Sequence, residues 1–126
     1  MSNWTDGYVA EIDYTHGYYA ELNPLRTKLA LLNQGFVASE INAACELGFG
    51  QGLSVNIHVA ASGVQWLGTD FNPAQAGFAQ ELASISGGGA RLYDDSFAEF
   101  FARNDLPEFR SEERRVGKEC LRLCRS

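Results

Sequence analysis

The feature that most constrains this chain is a loop of alternating glycines between a short apolar run and a helix-forming segment. The apolar run spans residues 41–47, and the loop after it contains Gly48, Gly50 and Gly52. Residues 53–61 place apolar side chains at the spacing of one helix face. Glycines let a ligand approach the backbone closely, and the first turn of the next helix offers unpaired N–H groups. The pattern therefore predicts a strand, a glycine turn and a helix, and the turn either binds a nucleoside ligand or is simply a tight connection.

The alternation of strand and helix continues along the chain. Residues 64–70 predict a second strand and residues 74–85 a helix, after which a glycine run at 87–89 ends the helix. Residues 90–94 predict a third strand, and residues 96–102 contain three phenylalanines at helical spacing. Strands that alternate with helices favour an α/β fold with a parallel sheet and right-handed crossovers.

Two helix starts carry the same local signal. Asn23 precedes Pro24, and Asn72 precedes Pro73. Asparagine is a good N-cap, and proline is well suited to the first helical position, so each pair predicts the start of a helix. The first of these helices has an apolar face formed by Leu25, Leu29 and Leu32.

Composition narrows the classes of protein that this chain can represent. With 126 residues, of which 45% are hydrophobic, it has the size of one globular domain. A net charge of −6 provides no basic surface for nucleic acid. There is no apolar run long enough for a membrane span and no signal peptide, so we expect a cytoplasmic protein. Three cysteines and two histidines at unrelated spacings predict neither a disulfide framework nor a metal site.

The C-terminal segment differs in charge from the rest of the chain. Residues 1–109 hold four basic and thirteen acidic residues, whereas residues 110–126 hold six basic and three acidic residues. The sequence of the segment resembles the translation of a common DNA-sequencing adapter. We therefore interpret residues 110–126 as an artefactual tail that makes no functional contact. A natural basic tail that binds a partner is the alternative.

Acidic residues follow the second and third predicted strands. Asp70 lies where a carboxylate can accept hydrogen bonds from both hydroxyls of a ribose, although it could instead cap a helix. Phe71 could lie along an adenine face or simply pack in the core. Asp95 could accept a hydrogen bond from an exocyclic amine; Asp94 competes for this role, and an N-cap of the last helix is the alternative role for Asp95.

Three segments together resemble the motifs of class I S-adenosylmethionine-dependent methyltransferases. Residues 46–52 are similar to the first motif of that family, residues 68–73 to the second and residues 93–97 to the third, in the same order. The resemblance implies that S-adenosylmethionine is the cofactor. It also implies a set of cofactor-binding residues: Glu46 at the methionine amino group through water, Gly48, Gly50 and Gly52 at the methionine and ribose, Asp70 at the ribose, and Asp95 at the adenine. Phe71 and Ser96 complete the predicted cofactor-binding set.

The resemblance also implies an architecture. A Rossmann-like, three-layer fold truncated after about three parallel strands is expected, with residues 41–109 as the cofactor-binding half. Residues 1–40 would form an N-terminal aromatic segment and helix, similar to bacterial methyltransferases that carry a regulatory domain. Tyr18 and Tyr19 are then lid candidates, with ordinary packing as the alternative. In the family's strand order, residues 41–47 would form an open edge.

The methyl acceptor is not identified by these motifs, because the residues that position it would lie beyond Phe109. We expect the 126-residue chain alone to lack methyltransferase activity. Two other functions stay open. A nicotinamide-dependent oxidoreductase would share the α/β plan, but its G-x-G-x-x-G fingerprint needs glycine where Leu53 stands. A nucleoside-binding module without catalysis is the other alternative.

Overall fold

The computed structural model describes residues 15–109 and the backbone of residues 111–114. The strands are β1 (Ala43–Leu47), β2 (Gln65–Thr69), β3 (Arg91–Tyr93) and β4 (Ser111–Arg114). The helices are α1 (Pro24–Asn33), α2 (Leu53–Ala61), α3 (Pro73–Ser86) and α4 (Phe97–Phe101), and a short 3-10 turn (Ala20–Leu22) precedes α1. Within the described part of the chain, no helix is both long enough and apolar enough to cross a membrane.

All strand pairs in the sheet are parallel, and the strand order is β3-β2-β1-β4. Ala44 of β1 lies opposite Trp66 on one side and opposite Ser111 on the other. The three predicted strands are therefore confirmed, with ends that differ by one or two residues. The expectation that residues 41–47 form an open edge is wrong, because β4 pairs along β1.

The fourth strand comes from the segment that we interpreted as an artefactual tail. The backbone of residues 111–114 is hydrogen-bonded to β1, so this part of the tail has a structural contact. Residue 110 and residues 115–126 lie outside the described residues, as do residues 1–14 of the N-terminal segment. The adapter origin of the tail stays a prediction.

Hydrophobic side chains cover both faces of the sheet. On one face, the sheet packs against α2 and α3 through a buried cluster that includes Ala44, Trp66, Val55, Val59, Ala76 and Ala79. On the other face, Phe100 of α4 contacts a buried cluster formed by Cys45, Leu47 and Leu67. Strand residues that alternate in sequence thus face opposite helical layers, as the pleat of a strand requires. The three-layer α/β prediction is confirmed.

Both predicted helix starts are present. The Asn23 side chain accepts a hydrogen bond from Leu25 N–H at 3.0 Å, and the Asn72 side chain accepts one from Ala74 N–H at 3.1 Å. The apolar face of α1 does not join either buried cluster. Its Leu29 is 67% exposed, so this face is largely open among the described residues.

Gly52, the N-cap of α2, lies close to Ala79 of α3. This residue has a φ of +75°, and a Cβ atom built on it would lie 2.4 Å from Cβ of Ala79. The Asn56 side-chain amide donates to Gly52 O at 2.8 Å and to Ala79 O at 3.3 Å, which joins the two helices at this point. Gly52 therefore meets two separate demands, a left-handed backbone and the absence of a side chain.

We expect Gly52→Ala to lower the free energy of unfolding by about 2–4 kcal/mol, because backbone strain and overpacking add. Gly35→Ala is the matched control, since Gly35 has a φ of +82° with nothing within 4 Å of a built Cβ atom. The control should lose only the backbone contribution of about 1–2 kcal/mol. Urea unfolding followed by circular dichroism measures both variants. Equal losses would contradict a steric role for Ala79.

Candidate functional site

The strand order creates a crevice beside β1. Helices α2 and α3 lie on one face of the sheet and α4 lies on the other, and the connection through α4 leads to β4 on the far side of β1. The sheet therefore changes winding direction between β1 and β4. In open α/β sheets, ligands bind outside the carboxyl ends of the strands at such a point. The glycine loop follows β1 at this position.

The glycine loop folds back on the sheet edge before it enters α2. Gly48, Gly50 and Gly52 have φ values of 70°, 61° and 75°, all in the left-handed region. Gly48 N–H donates to Thr69 O at 2.8 Å, which extends the β1–β2 hydrogen bonding by one residue. Glycine adopts the left-handed conformation without the steric cost that other residues have, so the backbone of this loop favours glycine at these three positions. The absence of Cβ atoms also leaves room for a ligand to approach the backbone.

Asp70 connects the glycine loop to the start of α3. Its Oδ2 accepts a hydrogen bond from Gly50 N–H at 2.8 Å, and its Oδ1 accepts one from Asn72 N–H at 2.9 Å. The residue is only 5% exposed. A carboxylate has about four acceptor positions, and each of these two main-chain contacts uses one of them. The N-cap of α3 is Asn72, which confirms that Asp70 is not needed as the cap.

The other residues predicted near the glycine loop differ in burial. Glu46 is completely buried in the carboxyl half of β1, opposite Gly68 of β2. Phe71 is half-buried and belongs to neither described hydrophobic cluster. The predicted roles of Glu46 at a methionine amino group and of Phe71 at an adenine face stay predictions.

Asp95 is held by a residue that the sequence analysis did not select. Arg103 Nε donates to Asp95 Oδ2, and Arg103 Nη2 donates to Asp95 Oδ1 at 3.1 Å. These hydrogen bonds raise the pKa of Arg103 further above its usual value, so it stays cationic. The Arg103 guanidinium also lies over the Tyr93 ring, 3.8 Å from its centroid. Asp95 thus already has a charged partner, whereas its neighbour Asp94 is exposed.

Ser96 has a structural role in the described geometry. Its side chain accepts a hydrogen bond from Glu99 N–H at 3.3 Å, and its own N–H donates to the Glu99 side chain at 2.8 Å. The two residues form a capping box at the start of α4, so the N-cap is Ser96 and not Asp95. A role of Ser96 in cofactor binding stays a prediction, and it would have to coexist with these contacts.

Arg103 and Thr69 are the functional candidates that sequence reasoning missed. Thr69 Oγ1 donates to Asp95 O at 2.6 Å, which fixes the backbone at the end of β3. Arg103 follows α4 and returns to Asp95 after a turn. The sequence contains one usable signal, which is that Arg103 is one of only four basic residues among the first 109 residues.

Residues 17–19 of the N-terminal aromatic segment contact α2 near the glycine loop. Tyr19 N–H donates to Ser54 Oγ at 2.8 Å, and Ser54 Oγ donates to Gly17 O at 3.3 Å. The Tyr18 ring is 5.6 Å from the His58 ring and is 52% exposed. The segment is therefore anchored close to the start of α2, where a lid would be attached. The lid role of Tyr18 and Tyr19 stays a prediction.

His58 is a buried histidine without a polar partner among the described residues. It is 1% exposed, and neither ring nitrogen accepts or donates a hydrogen bond within that part of the chain. Its neighbours are the rings of Tyr18 and Trp66, at 5.6 Å and 5.1 Å. Burial lowers the pKa of His58, because the charged form is poorly solvated there.

We expect stability to fall as the pH is lowered from 7.5 to 5.5. The unfolded chain takes up a proton at His58 near pH 6.5, and the folded chain resists that proton until a lower pH, so the unfolded state is favoured in this window. Thermal melting at the two pH values measures the slope of stability against pH. His58→Phe should flatten it, whereas His16→Gln should retain it, since His16 is the other histidine and is exposed. An unchanged slope in His58→Phe would refute the assignment.

A separate open groove of about 420 Å³ runs between α3 and the edge strand β3. It is lined mainly by small and apolar side chains and by Gln80 and Arg91. The glycine loop and Asp70 are not part of this groove. Within the described residues, no group of three or more His, Cys, Asp or Glu side chains could hold a metal ion.

Comparison with known proteins gives one curated relative and several structural neighbours. No family model matches the chain. The uncharacterized protein sll1526 of Synechocystis sp. is 37% identical over 111 residues, a match that covers 84% of this chain and 22% of that protein. The chain therefore spans about a fifth of the length of this curated relative.

Two solved structures share the fold at low sequence identity. One is described as a candidate O-methyltransferase from Klebsiella pneumoniae, with a TM-score of 0.52 and 18% identity over 76% of this chain and 43% of that chain. The other is WbdD, solved with the kinase inhibitor LY294002, with a TM-score of 0.50 and 20% identity over 83% of this chain and 22% of that chain. The described part of this chain shares the Rossmann-like α/β fold of these two structures.

Proposed function

We propose that this chain carries the S-adenosylmethionine-binding half of a class I methyltransferase. The observation that carries the proposal is the hydrogen bond between Gly50 N–H and the Asp70 carboxylate. It joins the glycine loop after β1 to the acid after β2, at the point where the sheet changes winding direction. A ligand there would meet glycine backbone on one side and the Asp70 carboxyl group on the other.

The chemistry of this pair suits a nucleoside. A carboxylate such as that of Asp70 can accept hydrogen bonds from both hydroxyls of a ribose, and no basic residue stands in the glycine loop to favour a phosphate. The methyl group of S-adenosylmethionine is bound to a sulfonium, which is already an activated leaving group. Alignment of donor and acceptor can then supply much of the rate enhancement, and no acid or base is needed in this half of the site.

The two alternative functions predict different ligands. A nicotinamide-dependent oxidoreductase would bind a dinucleotide, but Leu53 occupies the position of the last fingerprint glycine and begins α2. A nucleoside-binding module without catalysis would bind the same ligand as a methyltransferase. Activity of the longer protein toward an acceptor separates that module from an enzyme.

Calorimetric titration of the 126-residue chain tests the proposal. S-adenosylhomocysteine should bind, and NAD should not bind. Asp70→Ala should weaken the S-adenosylhomocysteine affinity at least tenfold, because hydrogen bonds to a charged acceptor contribute about 1.5–3 kcal/mol each. Circular dichroism checks that this variant is folded.

Glu40→Ala is the matched control for Asp70→Ala. Glu40 is exposed and forms an ion pair with Lys28 at 3.0 Å, so its removal should leave the affinity unchanged. Binding of NAD with no binding of S-adenosylhomocysteine would favour the oxidoreductase. Unchanged affinity in a folded Asp70→Ala variant would remove Asp70 from the site.

A further inference from the structure

Residues 16–19, called the strap below, lie on the first turns of α2. The Tyr19 N–H donates to Ser54 Oγ at 2.8 Å, and Ser54 Oγ donates to Gly17 O at 3.3 Å. The strap has no regular secondary structure of its own, and Ser54 is fully buried. One buried hydroxyl therefore contacts the backbone of the strap at two points.

The Tyr18 side chain of the strap packs against His58, further along α2. The two ring centroids are 5.6 Å apart in an edge-to-face contact. Tyr18 is exposed, whereas the His58 ring that it contacts is buried. A second ring next to His58 belongs to Trp66 of β2, at 5.1 Å, and Trp66 is buried as well. His58 thus has one ring neighbour in the sheet and one in the strap.

This environment accepts a neutral imidazole and disfavours a charged one. Neither ring nitrogen of His58 has a hydrogen-bond partner within the part of the chain that the structure describes. An imidazolium has two N–H donors, and a buried charge without partners is costly. Burial accordingly lowers the pKa of His58. The protonated ring can be stabilised only if water or another polar group reaches it.

No nearby charge takes over the role of water. The elements α2 and β2, both described in full, contain no ionisable side chain besides His58. The strap contributes the phenols of Tyr18 and Tyr19 and the exposed imidazole of His16, which contacts the Phe78 ring at 5.3 Å. The acids of the adjoining elements are Glu21, Glu46, Asp70 and Glu81. None of these groups contributes to the lowered pKa of His58, which burial alone causes.

The two ring neighbours of His58 differ in what their displacement would disrupt. Trp66 lies in β2, which pairs with β1 on one side and with β3 on the other, so moving it would disrupt the centre of the sheet. Moving Tyr18 breaks the contacts of the strap and leaves the sheet intact. Local openings of this kind require less free energy than global unfolding. Displacement of the strap is therefore the easier way to hydrate His58.

We propose that the strap is a pH-sensitive latch, which lies on α2 while His58 is neutral and detaches when a His58 ring nitrogen takes up a proton from water. The inference goes beyond the proposed function and does not depend on it. With the strap detached, His58 titrates near its ordinary value of about 6.5, and with the strap in place it resists the proton. The detached form therefore gains population as the pH falls below that value.

Hydrogen exchange followed by NMR on the 126-residue chain tests the latch. The Tyr19 N–H, which donates to Ser54, reports the strap, and the Asp70 N–H, which donates to Tyr93 O at 3.1 Å, reports the sheet. Each rate is expressed as a protection factor relative to an unstructured peptide at the same pH. Protection of Tyr19 should fall by about five- to tenfold between pH 7.5 and pH 5.5. At both pH values it should be at least tenfold lower than that of Asp70, because the strap opens without the sheet.

Three variants assign the effect. His58→Phe keeps a ring but cannot take up a proton, so the protection of Tyr19 should be the same at both pH values; His58→Gln replaces it if His58→Phe does not fold. His16→Gln is the matched control and should keep the wild-type fall. Ser54→Ala removes the acceptor of the Tyr19 N–H, so protection of Tyr19 should be low at both pH values while that of Asp70 is retained.

Several results would overturn the latch. One is protection of Tyr19 that does not change with pH in the wild-type chain. Another is equal protection of Tyr19 and Asp70, because the strap would then open only when the whole domain unfolds. A folded His58→Phe or His58→Gln variant that keeps the full fall would also overturn it. Loss of the fall in His16→Gln would assign the effect to the wrong histidine for this proposal.

Discussion

The paired hydrogen bonds of the Asp70 carboxylate are the interaction on which the candidate site depends. A buried charge is tolerated only when it is paired or hydrogen-bonded, and here the partners are the backbone N–H groups of Gly50 and Asn72. One carboxylate therefore holds the loop after β1 against the start of α3. Asp70 is proposed to bind the ribose and also holds the glycine loop in place. A change at Asp70 would therefore alter both the affinity for the cofactor and the conformation of the loop.

The features that sequence alone predicted are those fixed by local chemistry. Asn23 and Asn72 cap helices because their side chains reach a backbone N–H two residues along the chain. The alternating glycines predicted a turn that needs left-handed backbone, and all three have that conformation. The α/β class followed from the order of such segments, since parallel strands need helical crossovers.

The features that sequence did not predict depend on contacts between distant residues or on order within the sheet. Arg103 reaches Asp95 only because the chain turns back after α4, and no spacing rule describes that return. Residues 111–114 have no strand-like apolar pattern, yet the parallel crossover through α4 brings their backbone beside β1. The apolar face of α1 was predicted from its spacing, but periodicity does not show whether a partner surface covers it, and Leu29 is 67% exposed.

The close contact between Gly52 and Ala79 has a consequence for sequence variation. Ala79 lies in the middle of α3, far along the chain from the glycine loop, and nothing in its own sequence context marks it as important. A larger side chain at position 79 would press on the backbone at the point where the loop enters α2. Homologous chains that keep this loop should therefore accept only alanine or glycine at position 79.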